Sequence, residues 1–245
     1  WKEGYGYTLA TEMYSAGIDR LTHQPLSFSV SETTEGVHIH IIDAELMGKG
    51  EKEKKDLYIE GIQNNGIINH YEYIINSEGT IEIRHVLKPE GKMPLWFPRI
   101  GLTLTVSDAL DQVKWYGRGP QENYPDRKTG YPTGIYASTV QAMYEPYLMP
   151  QDYGLRTDVR WLQLTKGIGL QFKMNEWFNF NIYPYSTDNL TKAMYTYQLQ
   201  KQKGMTLNLD YATTGVGCTA RGVFGAYKAM PQEYRRTISI RPMMK

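Results

Sequence analysis

Apolar and polar side chains alternate with a period of two along most of this chain, and that rhythm excludes most fold classes at once. Leu26-Ser-Phe-Ser-Val30 and Val37-His-Ile-His-Ile-Ile42 show it plainly. Successive side chains of a strand point to opposite faces, so each segment presents one apolar and one polar face. The same pattern, or a short β-branched and aromatic run, marks strands at 68–75, 80–87, 98–106, 112–116, 156–164, 169–174, 178–183, 205–211 and 235–240. Turn chemistry joins them: Asn76-Ser-Glu-Gly79, Lys88-Pro-Glu-Gly91, Thr165-Lys-Gly167 and Gln202-Lys-Gly204. With no long helical pattern between strands, parallel pairing has no crossovers to use, and antiparallel sheets follow. The one helix predicted is short, 188–194, with Ser186 or Thr187 as its cap. The expectation is an all-β chain forming a single large antiparallel β-sandwich over residues 1–245.

Charge excludes several function classes. The 245 residues carry 27 basic and 26 acidic side chains, a net charge of +1, which gives no bias toward nucleic acid or acidic lipid. The mixed-sign run at 49–56 reads as a solvated turn. No apolar stretch approaches the roughly 18 residues of a membrane-spanning helix. The first residues, WKEGYGYTLATEM, lack the basic start and apolar centre of a secretion signal. Cys218 is the only cysteine, which excludes an internal disulfide and leaves the compartment open, cytoplasmic or periplasmic. Twenty tyrosines and five tryptophans suit a pleated surface, and they also suit stacking on sugar rings.

One region breaks the rhythm. From residue 117 to 151 the chain carries five prolines and no periodicity, and a connection so long is functional or tightly tied down. It opens with WYGRGPQENYPDR, residues 115–127. Glu122 and Asp126 are a candidate carboxylate pair, because glycoside hydrolysis places two carboxyls about 5 Å apart for retention or about 6.5–9.5 Å apart for inversion. Arg118 and Arg127 stand beside them, and ion pairing would keep both carboxylates ionised. The plainer reading, and the one adopted, is a structural network that fixes the loop; no residue is assigned as catalytic. Gly117 and Gly119 are read as room for a tight turn, with Pro120 fixing φ.

Two further constellations are weak. His38 and His40 lie two apart on one strand face, a spacing that chelates metals, but the sequence reveals no third ligand, so no metal is expected. Basic residues interleave with aromatics from Lys114 to Trp161, as in single-strand nucleic-acid grooves, yet Glu122, Asp126, Asp152 and Asp158 stand among them.

From Trp115 onward the sequence resembles the C-terminal (small-chain, domain 5-like) domain of glycoside hydrolase family 2 β-galactosidases. The resemblance rests on WYGRGPQENYPDR and on five later blocks in family order, from Met143-Tyr-Glu-Pro-Tyr through Tyr153-Gly-Leu-Arg-Thr-Asp to Gly215-Val-Gly217. Ala16-Gly-Ile-Asp-Arg-Leu21 and the strands after it match more loosely. It implies a galactose-mutarotase-like supersandwich. It also implies a fragment of a longer enzyme: the acid and nucleophile glutamates, and any Mg2+ or Na+, belong to a separate barrel of about 250 residues whose strand–helix pattern is missing here. The partners implied are that barrel, other domains of the same chain, a galactoside shared with the barrel, and a second copy in an oligomer. Nucleic acid and membranes are not among them.

In that family the domain lends a loop to the sugar site, and a tryptophan soon after the Gly-x-Gly stacks on substrate. Here Cys218-Thr-Ala-Arg-Gly222 and then Phe224 follow instead. The resemblance therefore points to Cys218, Arg221 and Phe224 as substrate-facing, with Gly117, Gly119, Pro120, Glu122, Asp126 and Arg127 as a structural loop. Four glycines between Thr213 and Tyr227 predict a loosely held segment. Two other readings remain: an autonomous carbohydrate-binding module, and an aldose 1-epimerase, although no histidine follows His85 to serve as its acid.

Overall fold

The computed structural model describes residues 9–48, 65–217 and 222–243, with side chains from residue 12 onward. The architecture is all-β and mostly antiparallel sheet. Among the described residues no helix is long and apolar enough to cross a membrane. Two compact units are present, one of residues 1–97 with 230–239, the other of 98–229 with 240–245.

The first unit begins with a short helix, α1 (Leu9–Ala16), that the alternation did not announce. Gly17 ends it in the left-handed region, φ 78°, where its N–H reaches the Tyr14 carbonyl. Four strands follow as a meander: β1 (Thr22–Thr33), β2 (Gly36–Leu46), β3 (Gly66–Ile75) and β4 (Ile81–Glu90). The start of β11 (Tyr234–Met243) continues the order beside β4. Glu12 on α1 accepts the indole N–H of the fully buried Trp96 at 2.7 Å. His85 on β4 is buried as well, stacked on Tyr71 at 4.1 Å and in contact with Asn69 at 3.1 Å. Burial pushes its pKa down to about 4, and His70 adds to the shift. The outermost strand, β1, is exposed along its whole length, including Leu26, Phe28 and Val30.

The second unit holds β5 (Arg99–Val106), β6 (Gln112–Arg118), β7 (Thr133–Thr139), β8 (Arg156–Lys166), β9 (Ile168–Tyr183) and β10 (Met205–Thr213). Its order is β7-β6-β8-β9-β10-β5. The core is aromatic and aliphatic: Trp115, Leu162, Phe172, Phe180 and Leu207 are all sealed from solvent. The predicted helix is present as α2 (Thr187–Lys192), and its cap is Ser186, whose hydroxyl accepts the Asn189 N–H at 3.1 Å.

Two corrections concern strands. β7 lies inside the stretch read as irregular; it pairs only with β6 and is half exposed, so its alternation carries little hydrophobic contrast. The segments 169–174 and 178–183 are one strand, β9, interrupted by an outward bulge. Val159 pairs with Phe178 but Trp161 with Lys173, so β9 spends five residues where β8 spends two. Asn175, Glu176 and Trp177 are pushed into solvent there.

Candidate functional site

WYGRGPQENYPDR folds as the end of β6 followed by a tight turn at Tyr124–Arg127. Tyr124 and Arg127 exchange backbone hydrogen bonds of 2.8 and 3.3 Å, with Pro125 and Asp126 at the tip. The glycines are not the turn, as the sequence suggested. Gly117 is within β6, where a Cβ would stand 2.9 Å from the Cα of Val159. A Cβ on Gly119 would meet Tyr136 at 2.8 Å and Trp115 at 3.0 Å. Close approach of neighbours, rather than a left-handed φ, requires glycine at both. The Gly119–Pro120 peptide is cis.

Glu122 is a buried hub. Its Oε1 accepts from Arg127 Nη2 at 2.7 Å and from the Tyr147 hydroxyl; its Oε2 accepts from the Gly154 N–H at 2.8 Å and the Tyr124 hydroxyl at 3.2 Å. All its acceptor sites face the protein. Next to it, Asn123 is fully buried and holds Thr157 through both the backbone N–H and the hydroxyl. Arg156 donates to the Pro120 carbonyl at 3.0 Å and lies over the Trp115 ring at 5.4 Å. Burial pushes its pKa down to about 10, with Glu122 and Glu145 opposing.

Arg118 does not pair with Glu122. Asp158 takes it instead, at 2.5 Å, together with Lys128 Nζ at 2.8 Å. Asp158 sits at a register shift of β8 with φ 54°, a non-glycine residue in the left-handed region, and that bulge aims its carboxylate at the loop. Burial raises its pKa, but hydrogen bonds from Lys128 and Arg118 outweigh burial and leave it below the ordinary carboxylate value.

Asp126 has a different partner from the one the sequence suggested. Its carboxylate accepts the backbone N–H of Val216 at 3.1 Å and of Gly217 at 2.7 Å. A Cβ on Gly215 would collide with that carboxylate, so glycine is required for the approach. Gly215 N–H in turn binds the Tyr227 carbonyl at 2.8 Å, which closes the base of the segment that carries Phe224. The Phe224 ring is 68% exposed. Cys218 and Arg221 lie outside the described residues. At the described ends of the segment expected to be loosely held, β10 runs to Thr213, Gly215–Gly217 are hydrogen-bonded, and Gly225–Tyr227 form a 3-10 turn.

Glu122 and Arg127 are therefore brought together, whereas Glu122 and Asp126 serve separate sets of partners. A second polar cluster escaped the sequence reading. Arg99 reaches Asp210 at 3.1 Å and Asp152 at 3.3 Å, with the buried Asn181 and Asn208 joined at 2.8 Å beside them. Alternation hid it, because these positions of β5, β9 and β10 read as ordinary outward polar residues.

Known proteins resemble this chain over most of its length. The family described as beta galactosidase small chain matches residues 11–240. A beta-galactosidase of Priestia megaterium is 37% identical over 147 residues, covering 59% of this chain and 14% of its own length. One of Vibrio cholerae is 31% identical over 205 residues, covering 83% of this chain and 18% of that protein. The chain thus spans less than a fifth of either relative. Among solved structures, a galactose 1-epimerase of Lactobacillus acidophilus superposes with a TM-score of 0.43 at 8% identity, over 88% of this chain and 65% of that one. With the family match running through both compact units, the chain belongs to the beta-galactosidase small-chain family.

Proposed function

We propose that this chain is the small-chain domain of a longer retaining β-galactosidase acting on terminal β-galactosides such as lactose. It packs against a catalytic barrel that holds the two reacting carboxyls and any Mg2+ or Na+, and it lends the segment from Thr213 to Tyr227 to the sugar site. The observation that carries this reading is the grip of Asp126 on the Val216 and Gly217 amides. That grip anchors the family's loop at its root while leaving the Phe224 ring exposed to stack on a sugar. Cys218 and Arg221 belong to the same loop. Phe28 and Val30, more than half exposed on β1, support packing against further domains, in an enzyme that assembles as an oligomer. The family match across both units supports reading residues 1–245 as one domain.

Glu122 supports the non-catalytic role of the loop, since four protein donors already occupy its carboxylate. The isolated chain is accordingly expected to release no nitrophenol from an aryl β-galactoside. Turnover that vanished in Glu122→Gln, with the fold intact, would overturn this reading. In the longer enzyme, Asp126→Ala is expected to lower kcat/KM for the same substrate while leaving the fold intact.

A further inference from the structure

His38 and His40 share one face of β2, and the register of the sheet supplies what the sequence concealed. His40 lies directly opposite Glu72 on β3, so the three side chains emerge on the same side of the sheet. Their ligating atoms all lie within 4.8 Å of one another. The two imidazoles are close to parallel, centroids 6.4 Å apart and 28° between planes.

His38 is not satisfied in the way a purely structural histidine would be. His38 Nδ1 stands 3.5 Å from Glu72 Oε1, beyond the roughly 2.7–2.9 Å of a charge-assisted hydrogen bond. His38 Nε2 is buried and has no hydrogen-bond partner among the described residues. Leaving a buried polar atom unpaired costs about 1–3 kcal/mol, which the fold tolerates where something else supplies the partner. Glu72 is meanwhile held from behind: Arg84 donates to its Oε2 at 3.1 Å and leaves Oε1 toward the histidines. Metal-binding carboxylates are oriented by outer partners in this manner. His40 is exposed, which keeps the approach open to an ion and its remaining water.

We propose that His38, His40 and Glu72 bind one divalent first-row transition ion that favours imidazole, with Zn2+ as the representative. Two imidazoles and a carboxylate are a common zinc donor set, and the fourth position is left to water. Ligands of a tetrahedral ion with bonds of about 2.0–2.1 Å stand about 3.3 Å apart. Closing the present spacing, at most 4.8 Å, to that value takes up to about 1.5 Å, shared between the side chains. Bound there, the ion clips the two strands together within the first unit.

The full 245-residue chain, stripped with chelator, is titrated with Zn2+ by calorimetry and with Co2+ by visible absorption. One equivalent is expected to bind, with Co2+ giving the intense d–d bands of a low-coordinate site. His38→Ala, His40→Ala and Glu72→Gln should each weaken binding at least about tenfold, since even outer-shell changes cost 10–100-fold. His23→Ala should leave binding unchanged; that imidazole sits beside Asp43 and Glu45 instead, at 3.6 and 3.7 Å. Paramagnetic Co2+ should broaden the imidazole resonances of His38 and His40 in the unmodified chain, a measurement that depends on no variant folding. Undiminished binding by the His38→Ala, His40→Ala double variant would overturn the assignment. So would loss of binding confined to His23→Ala, or no binding by the unmodified chain at millimolar ion.

Discussion

The carboxylate of Asp126 accepts the backbone N–H of Gly217 at 2.7 Å, across 91 residues of sequence. One side chain of a tight turn thereby sets the exit direction of a distant loop. Asp126→Ala is expected to speed amide exchange at Val216 and Gly217 selectively, and to cost about 1.5–3 kcal/mol as bonds to a charged acceptor are lost. Gly215→Ala should expose the same two amides, because its methyl group would displace the carboxylate. Unchanged protection in both variants would show that the amides are held by something else.

Glu122 and Arg127 are partners of unequal weight. The arginine side chain is 48% exposed and the glutamate 7%, so only one end of the pair is buried. Arg127→Ala leaves Glu122 with three donors and should cost about 1 kcal/mol or less. Glu122→Ala strands a buried amide and two hydroxyls, and should cost about 3–5 kcal/mol. Equilibrium denaturation of the two variants provides the comparison, and equal losses would contradict it.

Gly117→Ala tests the close approach of β6 to β8. The methyl would stand 2.9 Å from the Val159 backbone and 2.8 Å from Val159 Cγ2, and overpacking of this kind costs about 1–3 kcal/mol. Adding Val159→Ala should not recover the loss, since the clash with the backbone of β8 persists. Full recovery in the double variant would locate the conflict in the side chain alone.

Acid should weaken the fold through His85 before it does so through Asp158. The buried ring titrates at about 4, below its ordinary 6.5, so between those values the unfolded chain binds the proton and the folded chain does not. Stability is therefore complete above pH 6.5 and lost as pH falls through the window, by about 3 kcal/mol at most. Asp158, depressed below its ordinary 3.8, loses its contribution only at lower pH. Denaturant midpoints at pH 7 and pH 4.5, compared between the unmodified chain and His85→Phe, should show a smaller drop in the variant. An identical drop would remove His85 as the cause.

Much of this fold was legible because alternation is local: a strand declares its faces within a few residues, and Ser186 declares its helix. β7 was not, since an edge strand half in water needs no strong contrast between faces. Arg127 and Glu122 were legible as partners because they are five residues apart, and turns keep such neighbours together. Asp126 was misread for the same reason: nearby arginines suggested a partner, while the real one comes from across the unit. His38 and His40 announced half a cluster, and Glu72 could enter only once the register of β2 against β3 was known. Asp158 gave no signal, because nothing in an aspartate marks a positive φ.

The outward bulge of β9 divides one long strand into two arms. Residues 178–183 are flanked by β8 near Phe178 and Phe180, and by β10 from Asn179 to Tyr183. The arm from Ile168 to Lys173 pairs with β8 as the far side of the β8–β9 hairpin, and β9 has β11 as a further neighbour. The bulge lets the two arms hold different registers against one partner strand, so a shift in either arm need not be passed to the other. The exposed residues 175–177 mark the boundary between them.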